Sequence, residues 1–295
     1  MRSLFLVGPP TPSSIEAALH AAADGLLIDL EDSAHPDREA KYPEGAVQAL
    51  PALVSTTETV LVRINDVMSE TGRTDLVRLV EAGIANILLA NVRTAQEFRQ
   101  ADAIIGRTEA VVRRVGVTRL WATVETPECV LNLKEIGTAP RIAGFVFGAG
   151  HPCEEPGALQ GGRGASWPVC DKPDELLHHK QLIVLTARAN GLQAIDSGYP
   201  RVADPDGTHS AALMSAKLDF DGTMAYAPDQ IHSIHRAFTP TQAEYDAALR
   251  GLDALADAYQ RGETKAVVDG RDFGGPRAWA ARGIVDRFER YGRND

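Results

Sequence analysis

Acidic residues and one arginine lie at or just after the ends of short apolar runs of this chain, where buried strands would end. The acidic residues are Glu31, Asp32, Glu125 and Asp196, and the arginine is Arg63. Adjacent carboxylates repel each other unless a cation or a hydrogen-bond network compensates them. A buried arginine needs a carboxylate, either from its own chain or from a substrate, which its planar fork binds bidentately. Together these residue types predict an oxygen-ligand site for a hard divalent cation beside an anion-binding arm.

Each acidic residue also has an ordinary structural interpretation. Asp32, or Ser33 after it, could cap the N-terminus of a following helix through its side-chain oxygen. The combination favours a functional site because four acidic residues and an arginine would share one rim.

Eight short apolar runs would place these side chains. Each run has the length of a strand buried on both faces, and helical stretches separate the runs. This alternation predicts a parallel sheet, which eight strands close into a (β/α)₈ TIM barrel with its site at the carboxyl ends of the strands. An open, doubly wound sheet is the alternative. The predicted strands are Leu4–Val7, Leu26–Leu30, Val60–Ile64, Ile87–Leu89, Leu120–Val124, Ala143–Phe147, Leu192–Ile195 and Phe220–Ala225, and the predicted helices include Pro12–Ala23, Thr74–Ala82, Ala95–Ala103 and Pro173–Asn190.

The 295 residues exceed the ~250 of a bare barrel. We therefore assign residues 1–235 to the barrel and 236–295 to a C-terminal helical extension. Thr241 and Glu244 predict a capping box that opens its first helix. An apolar face of that helix needs a partner, which is either its own barrel or a neighbouring subunit. The residues of this face are Tyr245, Leu249, Leu252, Ala256 and Tyr259.

Composition limits the class of protein. The chain is 44% hydrophobic and 24% charged, which is typical of globular proteins, and no apolar run approaches the ~18 residues of a membrane span. A net charge of -10 argues against a nucleic-acid partner. The sequence shows no secretory signal, and its three cysteines lack metal-binding spacing. Both observations predict that the protein is located in the reducing cytoplasm.

Ordered motifs make the resemblance to a known family specific. In chain order the sequence reads RSLFLVGPP, ADGLLIDLEDSAHP, VLVRIND, ATVETPECVLNLKEI, IAGFVFGAG, ARANGLQAIDSGY and DFDGTMAYAPDQI. These segments resemble the citrate lyase beta-subunit and malyl-CoA lyase branch of the HpcH/HpaI aldolase superfamily. The resemblance implies a TIM barrel that makes or breaks a carbon–carbon bond next to a carbonyl. It also implies a homo-oligomer, a trimer or a hexamer.

The resemblance further implies a divalent metal, usually Mg²⁺, and no organic cofactor. Glu125 would be a direct metal ligand, while Glu31 and Asp32 would hold metal-bound waters. The substrate would be a small carboxylate, either free or as a CoA ester.

The same resemblance assigns residues to substrate binding and catalysis. Arg63 would bind a carboxylate or carbonyl oxygen of the substrate, and Asn65 and Asn91 complete the predicted substrate-binding set. Asp196 would support catalysis nearby.

The sequence departs from the family pattern after strand six. The family reads Gly-Ala-Glu-Asp there, with the aspartate as a metal ligand. This chain reads Gly-Ala-Gly-His, so His151 occupies the ligand position. Imidazole as a ligand would favour Mn²⁺ or another transition metal over Mg²⁺. His151 could instead act as general acid or base, or it could be an ordinary loop residue.

Other positions that carry functional residues in the family also differ in this chain. The usual Leu-Pro-Lys-Val after strand four is Leu-Ala-Asn-Val here, and the late Gly-Lys becomes Gly222-Thr223. A C-terminal aspartate of the family falls on Gly274. The sequence therefore predicts a divergent carbon–carbon lyase or aldolase that stabilises an enolate. The alternatives are a non-catalytic, ligand-binding relative and a thioester hydrolase on the same scaffold.

Overall fold

The computed structural model of this protein describes residues 1–31, 50, 59–148 and 176–292. Asp32 and His151, both predicted site residues, lie outside the described residues. The chain divides into two compact units, residues 1–234 and 235–295. Among the described residues, no helix is both long enough and apolar enough to cross a membrane.

Eight parallel strands close into a barrel in the first unit. They pair in sequence order from β1 to β8, and β8 pairs back with β1, so the predicted TIM barrel is confirmed and the open sheet is excluded. The strands are β1 (Ser3–Val7), β2 (Gly25–Asp29), β3 (Val60–Ile64), β4 (Asn86–Leu89), β5 (Arg119–Val124), β6 (Ile142–Phe147), β7 (Gln193–Asp196) and β8 (Gly222–Ala225).

Helices follow the strands, and local capping explains several of their ends. α2 begins at Glu70, ahead of the predicted Thr74, because the Ser69 side chain accepts the backbone N–H of Gly72. The helices are α1 (Pro12–Leu19), α2 (Glu70–Glu81), α3 (Ala95–Val112), α4 (Pro127–Leu131), α5 (Leu133–Ile136), α6 (Leu177–Asn190), α7 (Pro205–Lys217) and α8 (Gln230–Phe238).

One residue from each strand fills the barrel interior. These residues are Leu4, Leu27, Leu61, Leu88, Trp121, Val146, Ile195 and Met224. Because side chains alternate along a strand, residues two and four positions further on share the interior face and lie nearer the carboxyl ends. This alternation decides which polar residues face the barrel mouth.

The second unit contains α9 (Gln242–Gln260), the hairpin of β9 (Ala266–Val268) and β10 (Arg271–Phe273), and α10 (Pro276–Tyr291). The capping box of Thr241 and Glu244 is confirmed.

Part of the predicted apolar face of α9 packs within the chain: Tyr245 stacks on Phe288, and Leu252 packs against a core cluster of the second unit. The residues of α9 that are buried most lie beside this face. These buried residues are Ala248, Gly251, Leu255 and Ala258, whereas Tyr259 is 55% exposed. A Cβ on Gly251 would lie 2.4 Å from the Phe273 ring, so small residues are what lets the hairpin pack closely.

Candidate active site

Arg63 is paired with carboxylates of its own chain. The register of β2 and β3 places Asp29 beside Arg63. Arg63 Nε donates to Asp29 Oδ1 at 2.7 Å and Nη2 donates to Oδ2 at 2.6 Å. Arg63 Nη1 lies 3.2 Å from Glu31 Oε2. The sequence left open whether Arg63 pairs with a carboxylate of its own chain or of a substrate. In the structure Asp29 accepts the bidentate contact.

This pairing keeps Arg63 charged and oriented. Burial by itself lowers the pKa of Arg63, but the hydrogen bonds and charge of Asp29 and the charges of Glu31 and Glu125 outweigh it, so the pKa lies above its ordinary value. A guanidinium has five N–H donors; Asp29 uses two and Glu31 lies beside a third, which leaves two at the Nη end. The Nη end of Arg63 therefore keeps donors for a substrate oxygen.

Asn91 connects the two glutamates of the predicted metal site. It follows β4 with a left-handed backbone (φ 54°). Its backbone N–H donates to Glu125 Oε1 at 2.7 Å, and its Nδ2 donates to Glu31 Oε1 at 3.2 Å. One residue therefore holds both carboxylates, which makes Asn91 a positioning residue as the structure stands.

Gly148 leaves room for the carboxylate of Glu125. A Cβ on Gly148, just after β6, would lie 3.0 Å from Glu125 Cβ and 3.1 Å from its Oε2. Contacts that short are rare for real Cβ atoms, so a larger residue would displace the Glu125 side chain. Glycine at this interior position leaves space beside the Glu125 carboxylate, as a site that binds a ligand requires.

The donor chemistry of this cluster fits a hard divalent cation. Glu125 is fully buried and the Glu31 side chain is 2% exposed. Among the residues that the structure describes here, Asp29, Glu31 and Glu125 carry three formal negative charges and act on the one positive charge of Arg63. Burying an excess of one charge is costly, and a cation offsets that cost. Mg²⁺ is commonly held by one or two carboxylates, with waters and substrate completing its shell.

The described residues supply only part of the predicted ligand set. Within residues 1–31, 59–148 and 176–292, no three His, Cys, Asp or Glu side chains cluster tightly enough to hold a metal by themselves. The structure brings together Glu31 and Glu125, whereas Asp32 and His151 lie outside the described residues.

Asn65 and Asp196 are engaged elsewhere. Asn65 Nδ2 donates to the carbonyl oxygen of Leu30 at 3.2 Å and to Asp75 Oδ2 at 3.1 Å, which ties the end of β2 to α2. Substrate contact by Asn65 therefore stays a prediction.

Asp196 lies in the layer between β7 and the helices. It follows the interior residue Ile195, so alternation turns its side chain outward. Asp196 Oδ2 accepts Lys180 Nζ of α6 at 2.8 Å and Ser215 Oγ of α7 at 2.5 Å, and its Oδ1 accepts the N–H of Ser197 at 2.8 Å. These contacts are those of a positioning residue, and a direct catalytic role for Asp196 stays a prediction.

A buried carboxamide joins the segments that follow β7 and β8. Gln230 is 1% exposed. Its Oε1 accepts the backbone N–H groups of Tyr226 at 2.8 Å and Ala227 at 3.3 Å, and its Nε2 donates to the Tyr199 carbonyl at 2.7 Å. Gln230 thus fixes two neighbouring segments of the carboxyl-end rim to each other.

Cys129 lies on α4, four residues after Glu125, and is fully buried. Burial raises the pKa of the Cys129 thiol, and the nearby charges of Glu125 and Glu97 raise it further. A protonated, buried thiol is a poor nucleophile. Cys129 is therefore a packing residue of this site.

Comparison with known proteins decides the family. A profile of the HpcH/HpaI aldolase/citrate lyase family matches residues 2–228. The chain belongs to this family. The resemblance drawn from the motifs is thereby confirmed.

Individual members of the family share about three residues in ten with this chain. It is 30% identical over 279 residues to the (3S)-malyl-CoA thioesterase of Cereibacter sphaeroides, covering 92% of this chain and 88% of that protein. It is 29% identical over 290 residues to the citrate lyase subunit beta of Escherichia coli, covering 98% and 93%. CitE of Mycobacterium tuberculosis, solved in complex with magnesium and acetoacetate, matches with a TM-score of 0.62 and 25% identity, covering 81% of this chain and 91% of that one.

Sequence reasoning missed four residues that shape this HpcH/HpaI site. Asp29 could have been found by setting β2 beside β3, since Asp29 and Arg63 each lie two positions after an interior leucine. Lys180 gave no signal, because His178, His179 and Gln181 make its part of the helix polar. Gln230 and Tyr226 gave no local signal for their contacts with Tyr199 and Gly198, because those two residues belong to the segment after β7.

Proposed function

We propose that this protein is a divergent carbon–carbon lyase that acts on a small carboxylated substrate with the help of a divalent cation. The observation that carries the proposal is the buried group of Glu31, Arg63 and Glu125, which Asn91 holds together at the carboxyl end of the barrel. Family membership supports the class of reaction, and the Mg²⁺ complex of the related CitE supports the cation.

In this proposal the residues of the site have separate roles in cation binding and substrate binding. Glu125 and Glu31 are the residues that would hold the cation. When bound, the cation supplies positive charge that stabilises negative charge developing on a substrate oxygen. Asp29 holds the guanidinium of Arg63 in one orientation, and the Nη end of Arg63 would then bind a substrate carboxylate. Asn91 keeps both glutamates in place, so little reorganisation is needed when the substrate arrives.

A second candidate is thioester hydrolysis. It is favoured by the 30% identity to a malyl-CoA thioesterase over 92% of this chain. In that reaction water attacks the thioester carbonyl and the CoA thiolate leaves, whereas a lyase breaks the carbon–carbon bond and leaves the thioester intact. The two reactions thus differ in their products from a single substrate.

The test uses (3S)-malyl-CoA, purified protein, and either Mg²⁺, Mn²⁺ or EDTA. Carbon–carbon cleavage releases glyoxylate and acetyl-CoA, while hydrolysis releases malate and free CoA. The proposal expects the first pair of products, dependent on the added cation. Malate and free CoA would establish the second candidate, and binding without either product would indicate a ligand-binding relative.

A panel of CoA esters of other 3-hydroxy acids, and the free acids, extends the test to other substrates. Glu125→Gln is expected to abolish turnover. The matched control is Glu128→Gln, which changes an exposed glutamate three residues away. The homo-oligomeric state and the cytoplasmic location stay predictions.

A further inference from the structure

The barrel mouth has two chemically different sides. Arg63, Asn91 and Glu125 lie at or just after the carboxyl ends of β3, β4 and β5. Tyr226 follows β8, and in a closed ring of eight strands β8 lies opposite β4. The side chain of Tyr226 shares the interior face with Met224 and packs against the interior cluster. The tyrosine therefore faces the charged group from across the mouth.

Gly198 provides the seat for the ring of Tyr226. A Cβ on Gly198 would lie 2.8 Å from Tyr226 Cε2 and 2.6 Å from the Met224 carbonyl oxygen. The backbone of Gly198 is outside the left-handed region, so glycine is needed here for space and not for a turn. The ring thus rests directly on the backbone that follows β7.

The backbone of Tyr226 is fixed by Gln230. The carboxamide of Gln230 binds the N–H of Tyr226 and the carbonyl of Tyr199 and is almost fully buried. Moving the backbone of Tyr226 away from Gly198 would break its hydrogen bond to Gln230, which is costly because that carboxamide belongs to a residue only 1% exposed. The backbone position from which the ring extends is therefore well defined.

We propose that Tyr226 is a specificity-determining residue whose ring forms an apolar wall on the β8 side of the mouth and limits the chain length of the substrate. The proposal rests on the proposed function, which places the charged end of the substrate at Arg63. The rest of such a substrate extends across the mouth towards β8. A rigid ring seated on backbone limits the space at that end, and pocket size discriminates between homologous chains.

The test measures binding of three 2-oxo acids of increasing length in the presence of Mg²⁺: pyruvate, 2-oxobutanoate and 2-oxopentanoate. Titration calorimetry on the full-length protein gives the dissociation constants. We expect Tyr226→Ala to improve the affinity for 2-oxopentanoate relative to pyruvate by about tenfold or more, in line with methylene discrimination in apolar pockets. Tyr226→Phe keeps the ring and should change this ratio less than twofold.

Two further variants keep the result interpretable. Met214→Ala shortens an exposed side chain on α7 and should leave the ratio unchanged. Tyr226→Leu retains an apolar side chain and decides the question if the alanine variant fails to fold, with the same direction and a smaller change.

The outcomes separate this inference from the proposed function. If the wild-type protein binds all three acids and the ratio does not move in Tyr226→Ala or Tyr226→Leu, the wall is wrong and the proposed function stands. If Tyr226→Phe shifts the ratio as far as Tyr226→Ala, the hydroxyl and not the ring is responsible, which also overturns the proposal. If the wild-type protein binds none of the acids, this inference fails, and the cleavage assay on (3S)-malyl-CoA decides the proposed function separately.

Discussion

The two ends of the barrel each bury a glutamate near an arginine, but the two glutamates are held in different ways. At the amino-terminal end, Glu109 accepts the backbone N–H groups of Gly116, Val117 and Thr118 within 3.1 Å and pairs with Arg141 Nη2 at 3.0 Å. At the carboxyl end, within the described residues, Asp29 and Glu31 contact the guanidinium of Arg63, and the charge of Glu125 also acts on it. A carboxylate surrounded by backbone donors stabilises the fold, whereas an excess of buried carboxylates suits a cation.

The pKa of Glu109 reflects this difference. Burial by itself raises the pKa of Glu109, but the N–H groups of Thr118 and Gly116 and the guanidinium of Arg141 outweigh it and hold the pKa at about 2. Glu109 therefore stays ionised throughout the ordinary pH range, where it fixes the entry to β5.

A cavity lies at the end of the barrel opposite the buried carboxylates. A pocket of about 540 Å³ opens at the amino-terminal ends of β5, β6 and β7, where Arg119, Arg141 and Gln193 are among its lining residues. Enzymes of this fold carry their sites at the opposite end, because the loops after the strands converge there. The chemistry of the buried carboxylates is the better guide.

The largest expected effect tests the carboxyl end. Glu125→Gln should lower cation-dependent turnover by at least about 100-fold, since it removes a ligand charge and even indirect partners of a metal are worth 10- to 100-fold. The melting temperature should stay close to that of the wild type, because the residue lies beyond the end of its strand. Turnover assays and thermal melts, run beside Glu128→Gln, measure both. A large loss of stability with normal cation binding would mean that Glu125 is structural.

The matching substitution at the amino-terminal end, Glu109→Gln, should lower stability and leave turnover unchanged. Glu109→Gln should lower the free energy of unfolding by about 3 kcal/mol at pH 7, from a pKa near 2 in the folded state against 4.5 in the unfolded state. This contribution is fully present above about pH 4.5 and is lost as the pH falls towards 2, because the unfolded state then binds the proton more readily. Denaturant titrations between pH 2 and 7 should show a shallower acid dependence in the variant.

The exposed Glu81→Gln serves as the control for this series, with an expected change within about 0.5 kcal/mol. Turnover of folded Glu109→Gln should equal that of the wild type. An active-site defect there would remove the contrast between the two ends.

Arg63→Lys tests geometry against charge. Lysine keeps the positive charge but cannot form the two-pronged contact with Asp29 and also present donors to a substrate. We expect a rise in KM for a carboxylated substrate of about 10- to 100-fold, nearly as large as in Arg63→Ala. Steady-state kinetics decide the point, and near-normal KM in the lysine variant would show that charge alone suffices.

The smallest expected effect concerns cation choice. If His151 is a ligand, His151→Asp replaces imidazole with the hard oxygen donor of the family pattern, so preference should shift from Mn²⁺ towards Mg²⁺ by about tenfold. Cation titrations of wild-type protein and of His151→Asp and His151→Ala measure the shift. Identical selectivity in all three would show that the cation is held by the strand-end carboxylates without His151.

Much of the fold was predictable because its signals are local. Continuous apolar runs mark the eight strands, and capping residues such as Thr241 and Gly191 mark helix ends within a few residues. The interior face could be predicted only in part. For α9, the large apolar residues suggested one face, whereas three of the four most buried residues are small, since Phe273 packs against Gly251.

The sequence by itself determined the number and order of the strands, the family, and the presence of Glu31, Arg63 and Glu125 at strand ends. Tertiary structure decided what these groups contact. Asp29 and Arg63 are 34 residues apart, and only the register of β2 against β3 joins them. The same holds for Lys180 with Asp196 and for Tyr226 on Gly198. Strand alternation and register set those contacts, and both depend on how the barrel closes, which no local pattern of residues encodes.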